Sequence, residues 1–429
     1  IPEEDYILLN AAARLVLKGG AGSIEAQLKI PEQREVLPPV MKFKALSGIP
    51  GRLRVLKGTN DQQPASYKAE VADALEFYNG YGGFDRAGRE YVVLLSEGQH
   101  TPLPWINVIS NPVFGFLVSS SGSGYTWAEN SRENKLTPWS NDPVTDPPGE
   151  VVYLRDENTG EIWTPVPLPI REKETYIIRH GKGYSIFEHT SHLIRQELLV
   201  FVPIDAPIKI YRLRLRNMSN IRRSISVTCF CELVLGAGAD NNRQHIVTWV
   251  DEDTGIFCAR NAYNYCFSER VAFMDAVGPS RTFTGDRTEF IGRNGSLAAP
   301  AALNREKLSG RVGAGYDPCA AMQIKVKLDP MEEKEVTFFL GQGKSIDEAR
   351  SVASLYRKPK QAEKAFGEVK AYWDNLLDII KVNTPDTATN IILNQWMLYQ
   401  VLSCRLWARA AFYQSGGAYG FRDQLQDVM

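Results

Sequence analysis

Tyr211-Arg212-Leu213-Arg214-Leu215-Arg216 alternates apolar and basic residues, and after a polar stretch at 217–223 the series Ile225, Val227, Cys229, Cys231 and Leu233 repeats the period of two. That period places successive side chains on opposite faces of an extended chain, so each run reads as a strand with one buried face, the first turning a basic face to water. The polar stretch between them reads as the turn of an antiparallel hairpin. Outward from this pair, Asp156-Glu157-Asn158-Thr159-Gly160-Glu161 is a second turn between strands, and residues 323–328 and 336–340 are the closing strands. Ser119-Ser120-Ser121-Gly122-Ser123-Gly124 lacks the Gly-Lys-Ser/Thr ending of a phosphate-binding loop and reads as a further turn. Many short strands from about residue 40 to 342, without alternating βα units, predict a large antiparallel β-sandwich.

The period then changes. Ser345 with Glu348 forms a capping-box pattern, and Phe366, Val369, Trp373, Leu376 and Ile380 follow at spacings of three and four, which predicts helices. Thr384-Pro385-Asp386 supplies an N-cap, a proline at the first helical position and an acid in the first turn of a helix expected to run to about Phe412. Ile391, Ile392, Trp396, Met397, Tyr399, Leu402, Leu406 and Trp407 put apolar groups on nearly every side of it. Such a helix is normally enclosed by others, so a helical continuation is expected after a chain that also starts without methionine.

With 429 residues, 44% of them hydrophobic, the chain can bury a large core. Its 49 basic and 50 acidic residues leave a net charge of -1, which gives no field for nucleic acid or an anionic membrane. No run of eighteen apolar residues and no leader pattern occurs, so no direct membrane contact is expected of this segment. Six cysteines, Cys229, Cys231, Cys258, Cys266, Cys319 and Cys404, fit no zinc spacing and read as reduced and mostly buried, with Cys229 and Cys231 on one strand face. His189 and His192 lack the order of a zinc-protease helix and read as core or surface histidines; no metal is expected. Asp251, Glu252 and Asp253 read as a solvated acidic turn.

The residues from Ala418 to Met429 hold the chemistry. A pyranose presents hydroxyls that each donate and accept, so a tight site needs fixed carboxylates and a planar guanidinium that can engage two oxygens. In a helix starting near Phe421, Asp423 and Asp427 stand one turn apart on one face, and Arg422 pairs with Gln426 on the next. Spacing alone favours a solvated first helical turn, with acids drawn there by the helix dipole. Upstream, Tyr125, Trp127 and Trp139 with Asn130, Arg132 and Asn141 make an aromatic, amide-rich segment that either contacts a glycan or orders a long loop.

Three stretches carry a resemblance: Asn111-Pro112-Val113-Phe114-Gly115-Phe116, the run from Gly122 through Trp127 and Asn134 to Pro143, and Gly416-Gly417-Ala418-Tyr419-Gly420-Phe421-Arg422-Asp423-Gln424-Leu425-Gln426-Asp427. With the segments 149–165 and 179–181, they resemble glycoside hydrolase family 94, the inverting β-glycan phosphorylases. Within it they are most similar to 1,2-β-oligoglucan phosphorylases and to the phosphorylase-like region of cyclic β-1,2-glucan synthases. The similarity runs from about residue 75 onward. It implies a sandwich over residues 1–342, a helical linker over 343–383, and over 384–429 the first part of an (α/α)6 barrel.

It further implies that Arg422, Asp423, Gln426 and Asp427 hold a glucosyl unit and that Arg409 is the candidate phosphate ligand, the alternative being a helix-surface arginine. The implied reaction is a single displacement in which phosphate, as co-substrate with no cofactor, attacks the anomeric carbon while an aspartic acid protonates the leaving oxygen, giving α-glucose 1-phosphate. The family carries that acid in a Trp-Asn-Asp-like motif absent here, Trp139-Ser140-Asn141-Asp142 lying in the β-region, so this chain alone is expected to be inactive. Expected partners are a β-glucan oligosaccharide, phosphate, the remaining barrel or a second chain carrying it, and a second copy in a homodimer. The expected location is the cytoplasm, or a membrane-associated one in a synthase. A carbohydrate-binding β-sandwich without catalysis is the reading from a different class.

Overall fold

A computed structural model describes residues 65–420 except 279, together with residues 2, 3, 5, 6, 19, 20, 22–24, 37–41, 422, 425 and 426. Between Gly82 and Gly343 the alternating runs form three antiparallel sheets. The largest has ten strands, among them Tyr176–Gly181, Tyr184–Ser191, Ile194–Phe201, Ile208–Asn217 and Glu333–Gly343 side by side. A five-stranded sheet centres on Pro318–Leu328, Arg223–Glu232 and Glu150–Asp156, and a three-stranded one joins Ile106–Ser110, Phe114–Ser119 and Gly124–Ala128.

The hairpin expected around 217–223 is not one. Ile208–Asn217 pairs with Ile194–Phe201 and Glu333–Gly343 in the large sheet, whereas Arg223–Glu232 pairs with Glu150–Asp156 and Pro318–Leu328 in the other. The chain therefore crosses between the layers here. It crosses again between Pro318–Leu328 and Glu333–Gly343, and the Asn217 amide ties the two crossovers by donating to the carbonyls of Ile221 (2.7 Å), Leu328 (3.3 Å) and Asp329 (3.0 Å). Leu213, Leu215, Val227, Cys229 and Cys231 all point into the core between the sheets, which is why two unpaired strands carry matching patterns.

The other face of the large sheet is covered by helices. Leu198 and Val200 enter the inter-sheet core, while Leu199 and Phe201 enter a second core with Ile208, Ile210, Phe273, Phe339, Val369, Trp373 and Tyr399. Where the helices cover it, this sheet is buried on both faces, and there the run Leu198-Leu199-Val200-Phe201 is continuously apolar. Arg212, Arg214 and Arg216 share the helix-side face beyond the helices, and the first two are paired: Arg212 donates to Glu335 at 2.8 and 3.0 Å, and Arg214 reaches Glu335 and Glu197. All six cysteines are free; Cys266 is exposed and Cys404 half-buried, and the others are buried.

The linker helices are Ile346–Tyr356 and Gln361–Leu377. Ser345 caps the first through the Glu348 N–H, and the Glu348 carboxylate returns to the Lys344 N–H. Leu377 ends the second, leaving Ile380 outside it and exposed. Gly183 (φ +84°), in the turn between two strands, lies under this helix, where a Cβ would come within 2.6 Å of Trp373 Nε1 and 2.7 Å of Val369. Two struts fasten the linker: buried Asp275 meets Arg281 and Arg357, and Asp251 accepts from Arg350 at 2.5 and 3.0 Å. Asp251 is thus buried against the linker, contrary to the solvated turn expected, because its partner comes from the distant helix.

The next helix spans 387–408, with π-type turns at Ile392–Trp396 and Val401–Ala408. Asp386, two residues beyond the expected cap, accepts from the Ala388 and Thr389 N–H groups, while Thr384 is held by Asn390. Trp396 and Tyr399 face the sandwich; Ile392, Met397 and Leu398 are exposed. Among the described residues no helix is long and apolar enough to cross a membrane.

His180, fully buried with Nδ1 on Ser185 Oγ at 2.9 Å, is lowered to about 4 by desolvation. Its folded pKa lies below the unfolded value of ~6.5, so the stability tied to its neutrality is full above that pH and is lost as pH falls from 6.5 toward 4. In urea titrations over this range His180→Gln should reduce the pH slope of stability by one proton's worth, ~1.4 kcal/mol per pH unit; an unchanged slope in the variant would rule out this assignment.

Candidate functional site

The 387–408 helix is fastened to the sandwich by polar groups on its apolar inner face. The Tyr399 hydroxyl accepts from the Gly183 N–H at 3.1 Å and lies 2.9 Å from both Asn107 Oδ1 and the Val108 carbonyl. One turn on, Ser403 Oγ donates to the Val108 carbonyl at 2.5 Å, and Trp396 Nε1 donates to the Gly88 carbonyl at 2.8 Å. Between helix and sandwich lies a cavity of about 530 Å³ whose lining includes the rings of Phe84, Tyr91, Trp105 and Trp396. Sequence reading missed these anchors; the one signal was a tyrosine and a serine four apart on an otherwise apolar face.

The helix ends at Ala408, four residues before the expected Phe412, because Arg409 turns left-handed at φ 51°. Ala410–Ala411 then pairs with Gln414–Ser415, and the N–H groups of Gly416 (3.1 Å) and Gly417 (2.9 Å) both donate to the Arg409 carbonyl. The sandwich loop 129–139 grips this small loop. Asn130 Nδ2 donates to the Gly417 carbonyl at 3.1 Å while its Oδ1 accepts from the N–H groups of Arg132 and Glu133 at 3.0 Å. Ser131 Oγ reaches the Arg409 carbonyl at 3.3 Å, and Trp139 Nε1 donates to the Phe412 carbonyl at 3.0 Å.

Arg409 is half-buried. Its Nη2 donates to the Glu129 carbonyl at 3.0 Å, its guanidinium sits 4.8 Å from the Tyr419 ring centre, and its buried Nε has no hydrogen-bond partner. Among the described residues, that leaves a buried donor for a ligand oxygen.

Tyr125 and Trp127 are not glycan platforms. Both rings are buried, at 0% and 2% exposure, and they pack with Val108, Leu117, Ala408 and Ala410 beneath the gripping loop. Residues two apart on a strand share a face, and here that face meets the helix end. Trp139 and Asn130 spend their polar groups on backbone, and exposed Arg132 pairs with Glu133 at 3.2 Å, so the segment orders the loop and, through it, residues 409–417. Replacing Trp139 by Phe should leave the fold intact and loosen this contact by ~1 kcal/mol, seen as faster amide exchange at Gly416 and Gly417; unchanged exchange would count against the grip.

Arg422 and Gln426 are exposed helical positions beyond the two glycines. Asp423 and Asp427 lie outside the described residues. The structure therefore places Arg409, Asn130, Arg132 and Trp139 together on one edge of the sandwich, with Arg422 and Gln426 on the segment leading from it. The one grouping of three metal-ligating side chains among the described residues, Glu172, Glu174 and His189, is elsewhere.

Residues 89–359 match the family description "Glycosyl hydrolase 94, supersandwich domain", and residues 372–429 match "Glycosyl hydrolase 94 superfamily, catalytic domain". Over 357 residues the chain is 40% identical to the cyclic beta-(1,2)-glucan synthase of Rhizobium meliloti (strain 1021), covering 83% of this chain and 13% of the synthase. It is 29% identical to the N,N'-diacetylchitobiose phosphorylase of Vibrio proteolyticus, covering 81% of this chain and 44% of that enzyme. The figures for the solabiose phosphorylase of Paenibacillus borealis are 29%, 81% and 45%. The chain thus spans less than half the length of each of these relatives. With the supersandwich description matching more than half of its residues, the chain belongs to glycosyl hydrolase family 94.

Proposed function

We propose that this chain forms part of the site of an inverting phosphorylase that cleaves β-1,2-linked gluco-oligosaccharides with inorganic phosphate. Residues 1–342 serve as the sandwich, 343–383 as the linker, and 384–429 as the first part of an (α/α)6 catalytic barrel. Arg422, Asp423, Gln426 and Asp427 hold the glucosyl unit, and Arg409 takes a phosphate oxygen. The observation that carries the reading is Arg409 itself: its guanidinium is fixed by Glu129 and Tyr419, with a buried Nε left for an acceptor, at the head of the segment that leads to Arg422.

A fixed guanidinium there would offset the charge of phosphate as it approaches the anomeric carbon, while a carboxylate and arginine cluster orients the sugar for attack from the face opposite the leaving oxygen. Proton donation falls to a residue outside this set. No cofactor is invoked, since phosphate is a substrate. The charged sugar phosphate stays on the side of a membrane where it forms, which suits a cytoplasmic location.

Incubating the encoded protein with phosphate and the four β-linked glucobioses tests the linkage. Sophorose should be phosphorolysed at least ~10-fold faster than the 1,3, 1,4 and 1,6 isomers, and a preference for another isomer would replace the substrate proposed. The identity with the synthase supports a second reading, the corresponding region of a cyclic β-1,2-glucan synthase.

A further inference from the structure

His189 sits on the strand Tyr184–Ser191, five residues and roughly 17 Å from the turn that meets the helices, so its surroundings are remote from Arg409 and Tyr399. Its side chain is fully buried, and its ring stacks on Tyr176 with centroids 3.8 Å apart and planes 7° from parallel. Nδ1 lies 3.3 Å from the Thr175 carbonyl, which selects the tautomer with its proton on Nδ1. Nε2 is then a bare lone pair, and it is buried without a hydrogen-bond partner.

The segment leading into Tyr176 brings two carboxylates to this ring. One oxygen each from Glu172 and Glu174 and one nitrogen of His189 all lie within 4.8 Å of one another. With Glu172 already paired to His192, Glu174 and the unsatisfied ring nitrogen remain for a divalent cation to bridge. The surroundings are those of a built site. The His189 Nδ1 proton is directed at a backbone carbonyl, the arrangement that orients a ligating imidazole. Glu172 is fixed by His192 Nε2 at 2.8 Å, and its own N–H donates to the Tyr176 hydroxyl at 3.0 Å.

We propose that Glu172, Glu174 and His189 are three ligands of a divalent transition-metal site of the zinc type, with solvent in the remaining position. The mixed nitrogen and oxygen donors suit Zn²⁺ better than Ca²⁺ or Mg²⁺, which take oxygen almost exclusively. Both glutamates are half-buried, so the site is reachable from water. Arg171 opposes the cation only in part, because its Nη2 is held by the Ser96 and Gln99 carbonyls. The cation would clip the segment before Tyr176 to the strand that carries His189, a structural role independent of the sugar chemistry.

The test is zinc binding to the purified chain after EDTA treatment and desalting, by calorimetric titration with Zn²⁺ and metal analysis of the desalted product. One equivalent should bind and raise the melting temperature, and Glu174→Gln, at a half-buried position, should weaken binding at least ~10-fold and abolish the temperature shift while its circular dichroism is unchanged. His189→Gln should weaken binding likewise. Absence of binding up to millimolar Zn²⁺, or equal affinity in wild type and Glu174→Gln, overturns the proposal, the latter pointing to surface groups such as Cys266.

Discussion

Replacing Glu150 by glutamine should destabilise the chain by about 3–5 kcal/mol in urea unfolding, close to the loss expected for a charge stranded in a protein core. Glu150 opens a strand of the five-stranded sheet, and its buried carboxylate reaches all three sheets. Lys209 Nζ donates to it at 2.6 Å from the large sheet, as do Thr126 and Thr137 hydroxyls at 2.6 Å, and the Tyr211 hydroxyl completes the set. Burial alone would raise its pKa, but Lys209 and the hydroxyl donors outweigh that and hold it below the usual carboxylate range. Glutamine keeps the shape and removes the charge, leaving the Lys209 ammonium, 3% exposed, facing the rings of Phe116 and Tyr211 at 3.9 and 4.7 Å. Adding Lys209→Met should recover much of the loss, because the stranded charge goes with it. Additive losses in the double variant would mean the two groups are not coupled as described.

In the encoded protein Gly417→Ala should cost activity rather than stability, with phosphorolysis falling ~100-fold or more while the melting temperature moves by only a few degrees. Gly417 adopts φ +66°, and a Cβ there would lie 2.2 Å from Asn130 Oδ1 and 2.8 Å from Arg132 Cβ. Asn130 cannot retreat cheaply, since the same oxygen accepts from two backbone N–H groups of its own turn. The added methyl should therefore push residues 416–420 off the sandwich and carry Arg422 and its neighbours out of register with Arg409. Full activity in Gly417→Ala would show that the grip of loop 129–139 does not position the site.

The period of two located the strands because burial on one side is a local property of each run. It could not say which strands pair: Ile208–Asn217 and Arg223–Glu232 each satisfy their hydrogen bonds with strands far away in sequence, and both point apolar groups at one core from opposite sheets. Asp251 failed for the same reason, its arginine lying 99 residues downstream. Tyr125 and Trp127 looked like a sugar platform because aromatics beside amides serve either purpose, and only the position of Ala408 and Ala410 above them decides it. The helix end escaped because Arg409, unlike a glycine, gives no local signal of a left-handed turn. The family motifs, by contrast, were legible as contiguous strings, and the linker cap at Ser345 was legible because capping is written within four residues.

The most direct measurement is the phosphate dependence of sophorose cleavage by the encoded protein and its Arg422→Lys variant. The expected result is α-glucose 1-phosphate and glucose in equal amounts, no glucose without phosphate, and kcat/KM reduced ~100-fold or more by a lysine that cannot reproduce the two-oxygen grip of arginine. Glucose released at the same rate without phosphate, or an Arg422→Lys variant as active as the wild type, would contradict the account.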